Sequence, residues 1–249
     1  MKKTGRRMEA EYRHEYKYLV SENALTMLSF RLKGVMRKDP HAGNDGRYMI
    51  RSVYFDDVYD TCFNENASGA DRHEKFRIRA YNADSSFITL ELKIKEHGKT
   101  KKLSETIDED IFRFLVYGEG TVETEKSLKN LGRKLLMEKR TRLLKPKVII
   151  QYEREPFLYD AGNVRVTFDR FISASPHIDR MFEKNAYALP VLPENIHLLE
   201  VKWDDFLPGI IGETLKNDRL QQMSFSKYFL GRQMLCGSFP TLDNKRRAR

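Results

Sequence analysis

Cysteine, tryptophan and long apolar runs are scarce in this chain, and each scarcity closes off a class of protein. The two cysteines, Cys62 and Cys236, form no metal-like pair or cluster, which fits a reducing compartment and excludes a disulfide scaffold. No HExxH occurs, and the six histidines are scattered. His14 and His73 read as structural or solvent-facing rather than as ligands. No GxxxxGK[ST] is present, so phosphate would not be cradled by a Walker-type loop. Ser226 and the cysteines sit in no nucleophile motif. The lone Trp203 reads as a packing residue and not as a base-stacking platform.

Other absences concern location and organisation. No run approaches the roughly 20 apolar residues of a membrane span. The basic N-terminus lacks the apolar core of a secretory signal. A cytoplasmic protein is expected, and any membrane association would run through the tails or a membrane-protein partner. No Gly/Pro/Ser-rich linker divides the chain, and there is no internal repeat. The expected organisation is a basic tail at 1–8, one domain over 9–237, and a second basic tail at 238–249.

Charge is abundant, but it is unevenly placed. The formal charge is +9, of which residues 1–8 carry +4 and residues 238–249 carry +3, leaving +2 for the body. The high pI of 9.4 is therefore mostly a property of the ends. Such ends read as solvated tails, and no nucleic-acid partner is expected.

Within the body, charged residues recur at every second position. Arg13, Glu15 and Lys17 begin the pattern. Arg77 and Arg79 repeat it, then Glu91, Lys93 and Lys95, then Arg165, Thr167 and Asp169, then Glu200 and Lys202. Intervening residues are largely aromatic or aliphatic. Alternate side chains of a strand point to opposite faces, so each segment has one charged and one apolar face. A wet sheet face is the ordinary reading for one such strand. Recurrence in five or six strands, with enough helices to cover the apolar side, also fits a closed barrel around a charged lumen. Buried like charges need a counter-ion. A polyanion with a divalent cation would supply it, with arginine forks on phosphate oxygens and carboxylates on Mg²⁺ or Mn²⁺.

The local signals predict strands at Tyr12–Val20, Tyr48–Asp56, Arg72–Tyr81, Phe87–Lys95, Val148–Tyr159, Val164–Phe171 and Ile196–Trp203. A basic loop, Lys99–Lys102, leads to a weaker strand near Leu103–Ile107. Helices are expected over Glu22–Val35, capped by Ser21, and through Cys62 and Phe63. Further helices are expected at Asp108–Tyr117, Glu123–Arg140, Ile211–Asn217 and Phe225–Cys236. The predicted class is α+β, built on a closed antiparallel β-barrel of about eight strands with helices outside.

Several of these strands resemble a known family in order. Tyr12-Arg13-His14-Glu15-Tyr16-Lys17-Tyr18 resembles the opening strand of the VTC domain. Ile50 to Asp56, Lys75 to Arg79 and Leu90 to Lys93 resemble the next three. Tyr152 to Phe157, Val164 to Asp169, Leu199 to Lys202 and Phe225 to Tyr228 complete the set. The resemblance implies a triphosphate tunnel metalloenzyme fold, related to the CYTH proteins. It further implies a polyphosphate polymerase that transfers the γ-phosphate of ATP to inorganic polyphosphate and releases ADP.

Carried onto this sequence, the resemblance implies that Lys17, Arg77, Arg79 and Lys93 act with Glu200 in catalysis. Arg51, Lys101, Lys102, Arg154, Arg165, Lys202 and Lys227 would bind phosphates. Glu200 would hold Mn²⁺ or Mg²⁺, with Glu15 and Glu91 as secondary ligands. There are departures. Arg13 stands where the CYTH hydrolases' ExExK strand has its first carboxylate, which favours the polymerase branch. Ser224 stands where polymerases carry a second lysine, and Pro156 where a small residue is usual. The alternatives are a triphosphatase of the same fold and a non-catalytic polyphosphate or nucleotide sensor.

Overall fold

A computed structural model describes residues 12–216 and 220–237. The charged alternation does produce strands. In chain order they are β1 (His14–Ser21), β2 (Arg37–Lys38), β3 (Tyr48–Asp56), β4 (His73–Tyr81) and β5 (Asp84–Glu96). They continue as β6 (Lys99–Ile107), β7 (Lys145–Tyr159), β8 (Val164–Ser175), β9 (Leu189–Pro190) and β10 (Ile196–Trp203). The helices are α1 (Glu22–Lys33), α2 (Thr61–Ser68), α3 (Glu109–Tyr117), α4 (Val122–Ser127), α5 (Asn130–Thr141), α6 (Gly209–Leu215) and α7 (Lys227–Leu235). The α+β class is as expected.

All ten strands belong to one antiparallel sheet, in the order β1-β10-β8-β7-β3-β4-β5-β6. Short β2 and β9 pair with β7 and β8 off that path. The sheet curls strongly, yet it is not the closed barrel that was expected. Its path ends at β1 and β6, which among the described residues are joined in backbone pairing by the Arg13–Thr100 bridge alone. A half-barrel results. β6 pairs with β5 from Ile107 to Lys99 along one edge, while its other edge has, among the described residues, a backbone partner at Thr100 alone, so the ladder stays open there.

Three further expectations are corrected. Lys99–Lys102 is not a loop but the first part of β6, paired with β5 across a turn at His97 and Gly98. The single helix expected over Glu123–Arg140 is two, because Leu128 leaves helical geometry with ψ 129°. The β4–β5 turn is tighter than expected. Asn82 and Ala83 both take positive φ, 53° and 55°, which matches the twist of a hairpin. The tail assignments and the end of the helix expected at Ile211–Asn217 lie outside the described residues.

Apolar burial fixes which way the sheet faces. On the convex side, Phe112, Leu115, Leu131 and Leu135 of α3 and α5 pack on Val53, Ile78 and Leu90. Leu25, Leu28 and Leu32 of α1, with Ile211 of α6, pack on Phe157, Phe168, Leu199 and Val201. Each fully buried leucine contributes about 1.5–3 kcal/mol. Three of them outweigh the Ser21 cap of α1, worth about 1 kcal/mol. Helix α7 lies on the opposite, concave side, where Gly231 passes Ile150 and Ala174. The other strand parity, with its charges, is thereby turned toward the concavity.

Candidate functional site

Register decides which charges meet. Arg77 and Arg79 of β4 stand opposite Tyr54 and Ser52 of β3, all on the concave face. Arg77 Nε donates to Glu91 Oε2 of β5 at 2.6 Å and its Nη1 to the Tyr54 hydroxyl at 2.9 Å. Arg79 donates to Ser52 Oγ at 3.2 Å and to the Tyr152 hydroxyl at 3.1 Å. Glu91 is 1% exposed and also accepts from Lys102 of β6 at 2.8 Å.

Across the concavity, β7, β8 and β10 supply a second set. Arg154 grips Asp169 with two hydrogen bonds, at 2.6 and 2.7 Å. Lys227, the first residue of α7, bridges Glu200 at 2.6 Å and Asp169 at 2.7 Å. A cation in the first turn opposes the helix dipole, and these two carboxylates offset that. Lys202 reaches Glu200 at 3.1 Å. The Tyr152 ring lies under two cations, 4.8 Å from Lys227 Nζ and 5.1 Å from the Arg154 guanidinium.

Strand β1 joins the two sets. Glu15 meets Lys93 at 2.8 Å, Lys17 at 3.2 Å and Lys202 at 3.8 Å. Lys17 also donates to the Phe225 carbonyl at 2.7 Å. At the rim, Arg165 donates to Asp39 and to the Tyr48 hydroxyl, both at 2.9 Å. With Lys75 on β4, the face gathers ten cations around Glu15, Asp39, Glu91, Asp169 and Glu200.

The electrostatics follow from burial and crowding. Burial alone would raise the pKa of Glu200. Lys202, Lys227, Lys17 and Arg154 instead hold it well below the ordinary carboxylate value. Glu15 and Glu91 are lowered in the same way, against burial, by lysines and by Arg77 and Arg79 respectively. All three carboxylates are therefore ionised at neutral pH. The lysines divide. Lys227 is raised by Asp169 and Glu200 against the effect of burial. Lys93 is lowered to about 7 and Lys75 to about 8, chiefly by burial. Unpaired polar atoms remain on this face: Thr89 Oγ1, Thr167 Oγ1 and Arg165 Nε are buried without a hydrogen-bond partner. A site of this kind can hold a multiply charged anion and neutralise charge moving between its oxygens.

This geometry has a counterpart among known sequences. The family model described as the VTC domain matches residues 12–236. The chain belongs to the VTC domain family. No curated protein matches the chain. Among solved structures it is similar to the bh2851 protein of Bacillus halodurans, provisionally described as an adenylate cyclase. That pair is 16% identical with a TM-score of 0.49, covering 83% of this chain and 87% of the other. It is also similar to the PH1012 protein of Pyrococcus horikoshii, at 12% identity and a TM-score of 0.43 over 84% and 94%.

Most residues that the sequence singled out in this VTC domain converge on the concave face. Lys17, Arg77, Arg79, Lys93, Lys102, Arg154, Arg165, Glu200, Lys202 and Lys227 are together, with Glu15 and Glu91 among them. Two are not. Arg51 has the opposite strand parity, and its guanidinium donates to the carbonyls of Arg180, Met181 and Glu183 on the convex side. Lys101 turns outward beside Tyr12, while its neighbour Lys102 turns inward. Sequence reasoning passed over Asp169, Tyr152 and Lys75 as site residues. Asp169 lay in the alternation, next but one to Thr167. Tyr152 carried no charge to mark it.

The expected divalent metal is met in part. Among the described residues, no three His, Cys, Asp or Glu side chains converge on one metal position. Both oxygens of Glu200 are already occupied by ammonium or guanidinium groups. Mg²⁺ commonly uses one or two carboxylates and takes its other ligands from phosphate and water. The donor set fits an ion that arrives with a phosphate chain, and does not fit a resident all-protein cage. No helix among the described residues is long and apolar enough to cross a membrane.

Proposed function

We propose that this VTC domain is a metal-dependent polyphosphate polymerase that moves the γ-phosphate of ATP onto inorganic polyphosphate and releases ADP. The observation that carries the proposal is the concave face itself, where ten cations converge and Glu15, Glu91 and Glu200 stay ionised. Phosphoryl transfer depends on positioning and charge neutralisation more than on covalent chemistry. Arg77, Arg79 and Arg154 hold phosphate oxygens in forked contacts. Lys17, Lys93, Lys102, Lys202 and Lys227 supply mobile point charges, and Arg165 does so from the rim. The attacking terminal phosphate is already an anion and needs no base to deprotonate it. Glu200, with Glu15 or Glu91, would hold a Mn²⁺ or Mg²⁺, whose chemistry would be to neutralise phosphate charge. Tyr152 orients Arg79, Arg154 and Lys227 for the task.

A tunnel triphosphatase is the second reading. It draws support from the number of carboxylates on the face, since hydrolases of this fold rely on several. One assay separates the two. Purified protein is incubated with ATP and Mn²⁺, and the products are resolved by chain length. Long-chain polyphosphate with stoichiometric ADP is the expected result. Orthophosphate as the only phosphate product would overturn the polymerase and leave the triphosphatase. Tight binding without any turnover would leave only a sensor.

A further inference from the structure

Among the described residues, Lys75 is the cation of the concave face that makes no hydrogen bond or ion pair. On β4 it is the next inward residue after Arg77, about 7 Å along the strand from it. Its register partner is Lys93 on β5, whose own partner is Lys102 on β6. Three lysines therefore stand side by side across three strands, an arrangement that repulsion disfavours. Lys93 and Lys102 are compensated by Glu15 and Glu91, each at 2.8 Å. Lys75 is 8% exposed, and among the described residues its ammonium has no hydrogen-bond or ion-pair partner. The Tyr228 ring lies 5.7 Å from its ammonium, and Glu65 and Asp56 act on it only beyond ion-pair distance. Its ammonium keeps some contact with solvent, yet holding a largely buried lysine without a partner is still costly, and a methionine of similar shape would avoid that cost. A cost of this sort in the folded protein is relieved when an anion arrives.

We infer that Lys75 forms an additional phosphoryl-binding position, one step beyond the Arg77–Arg79 grip, that takes a phosphate of a chain longer than the triphosphate of ATP. This rests on the phosphate-handling role proposed above for the same face, and it extends that role to discrimination between ligands by length. ATP would fill the arginine grip. A polyphosphate would fill the grip and also reach Lys75, which then acts as a positioning residue for the acceptor chain.

The test is equilibrium binding by calorimetry on the full chain, without metal, using ATP, tripolyphosphate and long-chain polyphosphate as probes. The variants are Lys75→Met and Lys75→Arg. Lys75→Met is expected to weaken long-chain polyphosphate about tenfold or more, the worth of one charge-assisted contact, and to leave ATP within about twofold. Lys75→Arg should restore most of the loss. Thermal unfolding of the unliganded protein gives a readout that a structural lysine would not: Lys75→Met is expected to melt at a higher temperature than the parent. Equal weakening of all three probes would make Lys75 part of the main grip and overturn the separate position. Unchanged polyphosphate binding, or a lower melting temperature with all binding intact, would overturn it as well. If the parent protein binds no polyphosphate at all, both this inference and the polymerase reading fail. If it binds polyphosphate and Lys75→Met does not differ, only the inference fails.

Discussion

Glu200 and Arg77 are both buried in the same charged face, yet their removal should have opposite consequences for ligand binding. Glu200 is held by Lys227, Lys202 and Arg154 at 2.6, 3.1 and 3.5 Å. Glu200→Gln removes one negative charge from a face already rich in cations. Polyphosphate should therefore bind at least as tightly as before, while metal-dependent turnover is lost. The unliganded protein should be destabilised by about 1–3 kcal/mol and still fold, because Lys227 keeps Asp169 and Lys202 keeps Glu15. Turnover that survives in Glu200→Gln would remove Glu200 from the chemistry. Arg77→Ala and Arg79→Ala should each weaken nucleotide binding by about 1.5–3 kcal/mol, read as a roughly 10- to 150-fold rise in Kd. What the sequence disclosed at this scale followed strand parity. Arg77 and Arg79 were marked by alternation. Arg51 was not, because Tyr48 to Asp56 is buried on both faces and offers no alternation to read. Lys101 and Lys102 could be separated only once that segment is a strand.

Elements add constraints that no single residue shows. Helix α7 delivers Lys227 only if it can lie close to the sheet, and Gly231 is what lets it. A Cβ at Gly231 would stand 2.2 Å from Ile150 Cδ1 and 3.2 Å from Ala174 Cβ. Gly231→Ala should therefore cost about 1–3 kcal/mol of stability by overpacking. It should also reduce activity by displacing Lys227 from Glu200 and Asp169. Wild-type melting temperature and turnover in this variant would show that α7 docks elsewhere. The β4–β6 lysine row makes a second prediction, in pH. Lys93 and Lys75 titrate at about 7 and 8 in the folded chain, against an ordinary lysine value near 10.4. From about pH 7 to 10 the unfolded chain holds more protons than the folded one, so stability rises with pH across that window. Polyanion binding needs the ammonium forms and should weaken across the same window. Melting temperature against pH, compared with a Lys75→Met/Lys93→Met double variant, checks this; parallel curves would sink it. The sequence displayed most elements because their periodicity was strong. It hid the first part of β6, where Lys99–Lys102 resembles a loop, and the break at Leu128, which ends α4 as a separate short helix.

For the whole molecule, net charge and functional charge are different quantities. The concave face sets ten cations against five carboxylates, which exceeds the +2 of residues 9–237. The remainder of the body is therefore acidic by about three charges. A sheet curled this far, with the outer strands pinned at Arg13 and Thr100, concentrates field where the convex surface does not. Closure of the barrel could not be read from alternation, because parity says which face a residue is on and nothing about where the ends of a sheet meet. The tails supply a decisive test of which charge matters. Deleting residues 1–7 and 243–249 removes a net charge of +7 from the +9 of the chain. If polyanions are held by the tails, as they would be in a protein that binds nucleic acid nonspecifically, binding and its salt dependence should collapse on truncation. If they are held on the concave face, the truncated protein should keep polyphosphate affinity within a fewfold at moderate ionic strength, where screening limits the reach of distant charges to about 8–10 Å. The full truncated protein carrying Arg77→Ala should then lose what the truncation spared. Retention after truncation and loss with Arg77→Ala would locate the functional charge in the strands.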